Sequence, residues 1–120
     1  MMQQDITEIA GFDNLHSPQG ILLEAQKRCA SVFGAEESFF LINGSTAGIL
    51  AAMMACCGEK EEIILSRNCH RSVYSGLVFS GARPAYILPE MLKGKEFFGS
   101  ITQKQVQNAV EMHPHAKAVL

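Results

Sequence analysis

Apolar positions along the chain alternate between two spacings. Leu22, Ala25, Cys29, Val32 and Phe33 recur three and four apart, the signature of one helix face. Ser17-Pro18 ahead of them predicts the helix start, with Ser17 as N-cap and Pro18 at the first helical position. Gly34 predicts a left-handed stop. Residues 38–43 (SFFLIN) then form an almost unbroken apolar run closed by Asn43-Gly44, which predicts a strand buried on both faces. Residues 46–57 are apolar nearly all round and predict a largely buried second helix. Glu62–Ser66 (EIILS) predicts another buried strand, residues 70–80 closed by Gly81 a third helix, and residues 84–88 (PAYIL) a third strand. Residues 89–99 read as a polar loop. Thr102-x-x-Gln105 is a capping box opening a fourth helix, with Val106, Ala109 and Val110 on one face and Pro114 at its end. Residues 116–120 (AKAVL) predict a fourth strand.

Strict alternation of helix and strand, with strands about 20 to 30 residues apart, predicts parallel βαβ units. The expected fold class is α/β, a mostly parallel sheet with flanking helices, cut after about four strands. No repeat or low-complexity tract interrupts the pattern. A domain rarely ends on an apolar strand with no helix after it, so the expectation is the N-terminal portion of something longer.

Composition narrows the function. Hydrophobic residues make up 48% and charged residues 18%, and 12 acidic against 10 basic residues give a net charge of −2. These values exclude a disordered chain. No Lys/Arg cluster exists to neutralise a run of phosphates, so no nucleic-acid partner is expected. The longest apolar run, 49–57, is nine residues, against roughly 20 for a membrane-spanning helix. Met1-Met2-Gln3-Gln4-Asp5 has neither a basic patch nor an apolar stretch, so the expected location is the cytoplasm, with no membrane partner. Cys29, Cys56, Cys57 and Cys69 are irregularly spaced, contain no Cys-x-x-Cys pair, and are expected to be buried small hydrophobes.

In an open parallel sheet, ligands bind beyond the carboxyl ends of the strands. Three junctions lie there: Asn43-Gly44-Ser45-Thr46-Ala47-Gly48, Arg67-Asn68-Cys69-His70-Arg71-Ser72, and the segment after Leu88. At the first, Gly44 permits a sharp turn while Ser45 and Thr46 bring hydroxyls to a helix N-terminus, where anions are favoured. The spacing fits neither a Walker loop nor Gly-x-Gly-x-x-Gly. On the pattern alone, a plain cap by Ser45 or Thr46 is the favoured reading. His70, at the second junction, suits a planar ligand, acid–base work or a backbone hydrogen bond. His113 and His115, flanking Pro114, read as exposed helix-end residues. His16, in Asp13-Asn14-Leu15-His16, reads as part of a local capping segment. No metal site is expected.

Taken together, five stretches carry a resemblance: Asp5-Ile6-Thr7-Glu8, Gly11-Phe12-Asp13-Asn14-Leu15-His16-Ser17-Pro18, Phe39-Phe40-Leu41-Ile42-Asn43-Gly44-Ser45-Thr46, Arg67-Asn68-Cys69-His70-Arg71-Ser72, and His113-Pro114-His115-Ala116-Lys117-Ala118-Val119. In order and spacing they resemble the Orn/Lys/Arg decarboxylase family, pyridoxal-phosphate enzymes of aspartate-aminotransferase (type I) fold. The resemblance is nearer to the shorter bacterial arginine and lysine decarboxylases than to the long acid-induced forms. It implies that residues 1–120 are an incomplete N-terminal portion of the cofactor-binding major domain. It implies pyridoxal 5'-phosphate as cofactor, with Gly44 making the turn, Ser45 and Thr46 holding phosphate, and His70 stacking on the pyridine ring. It further implies a basic amino acid as substrate, a role in polyamine synthesis, and a homodimer in the full-length enzyme.

Two departures bear on activity. The family's His-x-Pro-Gly-His-Lys segment, which precedes Asp-x-Thr-Glu, has no counterpart before Asp5. The family's Schiff-base Lys, and the Asp that pairs with the ring nitrogen, fall beyond position 120. None of Lys27, Lys60, Lys93, Lys95, Lys104 or Lys117 sits in a Ser-x-His-Lys context. The chain alone is therefore expected to be inactive. Another type I enzyme, such as an aminotransferase, or a non-catalytic phosphate-binding remnant are the other readings. Arg67-Asn68-Cys69-His70-Arg71-Ser72 argues against an aminotransferase, where a different aromatic usually stacks.

Overall fold

A five-residue strand, Glu62–Ser66 (β1), forms the centre of the fold in the computed structural model, which describes residues 11–92, 94 and 96–120. The Asp5-Ile6-Thr7-Glu8 stretch, Lys93 and Lys95 lie outside the described residues. The chain divides into two compact units, one ending at Ile42 and one running Asn43–Leu120.

The first unit holds helix α1, Ile21–Phe33. It starts later than Ser17-Pro18 predicts. The Asp13 carboxylate accepts the backbone N–H groups of Gln19 (2.9 Å), Gly20 (3.0 Å) and Leu22 (2.8 Å). That ring of bonds winds residues 13–20 into a loop and places the helix start at Ile21, with Gly20 as N-cap. Ser17 instead donates its N–H to the Asn14 carbonyl, and the Asn14 side chain accepts from His16 N–H at 2.8 Å. The segment around His16 is thus a local capping segment, but Asp13 does the capping. Gly34 closes the helix at φ 66°, with the Ala35 N–H returning to the Ala30 carbonyl at 2.9 Å.

Residues 38–42 do not form the expected strand. Their hydrophobicity suits a strand, yet a strand also needs a neighbour for its N–H and C=O groups. No described strand pairs with them. Phe39, Phe40, Leu41 and Ile42 are exposed.

The second unit contains α2 (Gly44–Cys56), β1, α3 (Arg71–Ser80), β2 (Arg83–Ile87), α4 (Gln103–Met112) and β3 (Ala118–Val119). The sheet therefore has three described strands, not four, in order β2-β1-β3 and all parallel. β2 begins one residue early, pairing Arg83 with Glu62, and β3 is only two residues long. Alternation along β1 sets two cores. Ile63 and Leu65 pack with Met53 and Cys57 at the α2 end and with Val73 of α3. Ile64 points to the other face with Ala85 and Ile87, under Val106 and Ala109 of α4. β1 thus lies between two helical layers, which is why its middle three residues are buried.

Helix α2 is less buried than its apolar composition predicts. Met53 is its buried residue, and Met54 on the opposite side is 58% exposed. One face packs on the sheet and α3. α2 and α3 approach closely at Gly76, where an added Cβ would lie 3.2 Å from Met53 Cε and closer still to its Sδ. Gly81 caps α3 in the left-handed region at φ 69°. The capping box of α4 forms as predicted: Thr102 Oγ1 accepts from Gln105 N–H (3.3 Å), and Gln105 Oε1 accepts from Thr102 N–H (2.9 Å). Val110 departs from the expected face and is exposed. The cysteines depart as well. All are free, but only Cys57 is buried, while its neighbour Cys56 is exposed on the other side of the chain. No helix among the described residues is long and apolar enough to cross a membrane.

Candidate functional site

Chain connectivity places two helix starts at one end of the sheet. α2 spans 13 residues, about 20 Å at 1.5 Å per residue. It packs back along β1 through Ile49, Met53 and Cys57 and joins it through residues 57–61. β1 is about 16 Å long. The start of α2 therefore lies level with the carboxyl end of β1, where residues 67–70 lead into α3. The sequence-predicted residues Gly44, Ser45, Thr46 and His70 all belong to this end of the second unit.

The turn into α2 is made by two consecutive left-handed residues, Asn43 (φ 64°) and Gly44 (φ 71°). Asn tolerates this region and Gly adopts it without strain. Asn43 is the N-cap, and its side chain makes no capping bond. Ser45 and Thr46 are therefore second and third residues of the helix, not caps. Both are exposed, and neither hydroxyl has a hydrogen-bond partner among the described residues. The first-turn N–H groups of a helix lack intrahelical acceptors. Two hydroxyls and several amide donors thus coincide at the positive end of a helix dipole, a donor set that fits a phosphate.

His70 is the N-cap of α3 and not its first residue. Its Nδ1 accepts the Ser72 N–H at 3.2 Å and lies 2.8 Å from the Ser72 hydroxyl. Ser72 is buried while His70 is exposed. An imidazole pinned at Nδ1 and open on its outer side offers a flat surface and an Nε2 to a ligand.

The structure adds residues that the motifs did not single out. The Arg67 guanidinium lies over the rings of Tyr74 and Tyr86, 5.4 and 5.3 Å from their centroids. It also donates to the Tyr74 hydroxyl, which in turn donates to the Arg67 carbonyl. Burial, followed by the neighbouring Cys69 thiol, pushes the Tyr74 phenol above its usual range, with Arg67 opposing. Arg67 and Asn68 line a cleft of about 600 Å³ with Leu88, Pro89 and Phe98, beyond the carboxyl ends of β1 and β2. The period of two puts Arg67 on the Ile63–Leu65 face, but only the register, which pairs Tyr86 with Leu65, brings Tyr86 to it.

Other candidates lie away from this end. His113 is half-buried, not an exposed helix end, because its Nδ1 meets Glu62 Oε1 at 3.0 Å. Lys117 pairs with Glu61 at 3.3 Å. The Gly58 N–H, then Lys117, hold the Glu61 carboxyl below its usual range. These contacts fasten β3 and the end of α4 to the amino end of β1. His115 is exposed as expected.

The sequence model of the Orn/Lys/Arg decarboxylase major domain matches residues 1–120. The chain belongs to that family. An arginine decarboxylase of Bacillus cereus is 40% identical over 116 residues, covering 97% of this chain and 25% of the relative. Lysine decarboxylase LdcA of Pseudomonas aeruginosa is 37% identical over 71 residues, covering 59% of this chain and 10% of the relative. The solved structure of lysine decarboxylase A from Pseudomonas aeruginosa superposes with a TM-score of 0.67 at 28% identity, covering 85% of this chain and 15% of that one. This Orn/Lys/Arg decarboxylase chain spans about a quarter of the length of the Bacillus arginine decarboxylases it matches.

Proposed function

We propose that this chain supplies the phosphate cradle and a ring-contacting residue of a pyridoxal-phosphate-dependent decarboxylase. Its substrate class is a basic amino acid, arginine, lysine or ornithine, and its product feeds polyamine synthesis. One observation carries the reading. Within a decarboxylase family, Ser45 and Thr46 are unengaged at a helix start whose N-cap, Asn43, makes no side-chain bond, at the same sheet end as His70. Gly44 turns the chain so that the first-turn amides point outward. Ser45 and Thr46 donate to a dianionic phosphate, and charge-assisted bonds of this kind are the stronger ones. His70 lays a planar ring against the pyridine ring and leaves the opposite face to substrate. When bound, pyridoxal phosphate supplies the electron sink through which an α-carboxylate leaves as carbon dioxide.

This chain's own residues hold and orient; the Schiff-base Lys belongs to a later segment of the family. On this reading the 120-residue chain by itself is inactive, and the active form is a cytoplasmic homodimer. Carbon dioxide release from arginine, lysine and ornithine tests the reading. The full-length protein releases it from one of the three in a pyridoxal-phosphate-dependent manner, and the 120-residue chain releases none. A full-length protein that takes up no pyridoxal phosphate overturns the reading.

A further inference from the structure

His70 carries two contacts from one residue on one ring atom. The Ser72 N–H reaches Nδ1 at 3.2 Å, and the Ser72 hydroxyl stands 2.8 Å from the same nitrogen. A backbone N–H only donates, so this contact favours a lone pair on Nδ1, but at 3.2 Å it is too long to fix one by itself. With that lone pair on Nδ1, a neutral imidazole carries its proton on Nε2. The reverse arrangement, Nδ1–H donating to the hydroxyl, sets the ring proton against the Ser72 N–H. Ser72 is 4% exposed, and its hydroxyl has no other partner among the described residues. Donation to Nδ1 is what satisfies it, since a buried hydroxyl left unpaired is costly. A helix cap alone is served best by Ser, Thr, Asp or Asn.

We propose that Ser72 is a positioning residue that selects the Nε2–H tautomer of His70 and fixes its ring plane. Two donors converging on Nδ1 oppose rotation of the ring and leave Nε2–H as the outward-facing donor. The value of this for a stacked cofactor rests on the function proposed above: the ring meets the ligand already oriented, with its proton on a known atom. The tautomer itself rests only on the α3 start.

The test separates the two. In the 120-residue chain labelled with 15N-histidine, long-range 1H–15N spectra report which ring nitrogen carries the proton. His70→Asn, which retains a capping side chain, assigns the His70 signals. Under conditions where the imidazole is neutral, the parent shows one tautomer, with Nδ1 unprotonated. Ser72→Ala leaves only the backbone N–H on Nδ1, and the His70 nitrogen shifts move toward those of a tautomer mixture. Ser72→Thr keeps the hydroxyl and restores the parent pattern. The His113 signals, set by Glu62, stay in place throughout. A parent spectrum with protonated Nδ1 overturns the proposal without need of any variant, so a Ser72→Ala chain that fails to fold does not shield it. Unchanged His70 shifts in a folded Ser72→Ala chain overturn it as well. None of these readings uses the cofactor. Failure of the functional reading shows separately, as a full-length protein with no pyridoxal-phosphate absorbance.

Discussion

Ser45 and Thr46 have no work to do within the fold, and that separates their loss from a folding defect. Their hydroxyls are exposed and unpartnered among the described residues, while Asn43 already occupies the cap position. Ser45→Ala or Thr46→Ala should change stability by no more than about 0.5 kcal/mol, as for other surface sites. On the proposed function, each change in the full-length protein removes a bond to the cofactor phosphate, roughly 1.5–3 kcal/mol. Pyridoxal-phosphate affinity should fall by about one to two orders of magnitude, measured by equilibrium titration. The amide donors remain, so binding should not vanish. His70 is the opposite case, because it caps α3 and, on the proposed function, also contacts the ligand. His70→Ala loses the α3 cap, at about 0.5–2 kcal/mol, as well as the stacking face. His70→Asn keeps a cap and loses the ring; His70→Phe keeps a flat surface and loses the cap. If stacking matters, Phe retains turnover better than Asn while Asn retains stability better than Phe. Thermal unfolding and turnover, measured on the same three variants, read the two roles apart. Equal turnover in all three and the parent would leave His70 a purely structural residue.

At the scale of elements, stability is set where helices start and where they touch. The N–H groups of Gln19, then Leu22, Gly20 and Asn14, hold the Asp13 carboxyl below its ordinary range. A carboxyl lowered in the folded state stabilises it above the ordinary carboxylate range, and that stabilisation is lost as pH falls through the lowered value. Amide protection at Gln19, Gly20 and Leu22 should therefore drop on acidification, and Asp13→Asn should remove that pH dependence. At the α2–α3 contact, Gly76→Ala gains about 1 kcal/mol of helix propensity. It also drives a methyl into the buried Met53 side chain, and overpacking costs about 1–3 kcal/mol. Because Met53 is only 2% exposed, it has little room to swing away, so net destabilisation should appear in denaturant unfolding. Met53→Ala combined with Gly76→Ala should then be less than additive. These elements also show what the sequence could and could not reveal. Local signals were legible: the Glu62–Ser66 strand, the Thr102–Gln105 box, and the Gly34 and Gly81 stops. Non-local ones were not. Asp13 reaches six to nine residues ahead to Gln19 and Leu22, so Ser17-Pro18 looked like a helix start although it sits in a turn. Residues 38–42 have strand composition but no described partner. Ser45 and Thr46 were legible as site candidates, while only the structure shows that Asn43 leaves them unused. The Arg67–Tyr74–Tyr86 stack depended on register between β1 and β2, which no single stretch contains.

Across the whole molecule, apolar surface is distributed in a way that favours association. A parallel sheet is stable when both faces are covered and its edges are short or protected. Here β3 contributes two residues at one edge, with Val119 and Leu120 half exposed. Phe39 is 70% exposed and is followed by three further exposed apolar residues. Leu88, Met91, Phe97 and Phe98 add a second exposed group after β2. Exposed apolar residues grouped along the chain in this way favour association. The net charge of −2 gives little repulsion to oppose it. The isolated 120-residue chain should therefore self-associate, with a sedimentation coefficient that rises with protein concentration. The driving force distinguishes this from pairing of charges. Apolar association strengthens with an excluded salt such as sulfate, whereas association through exposed ion pairs weakens as ionic strength rises. Phe39→Ser combined with Leu41→Ser should lower association and leave the circular dichroism of the β1-centred unit unchanged, because neither residue belongs to its cores. A chain that stays monomeric at all concentrations, or whose association is abolished by salt, would show that these exposed residues are not the adhesive surface.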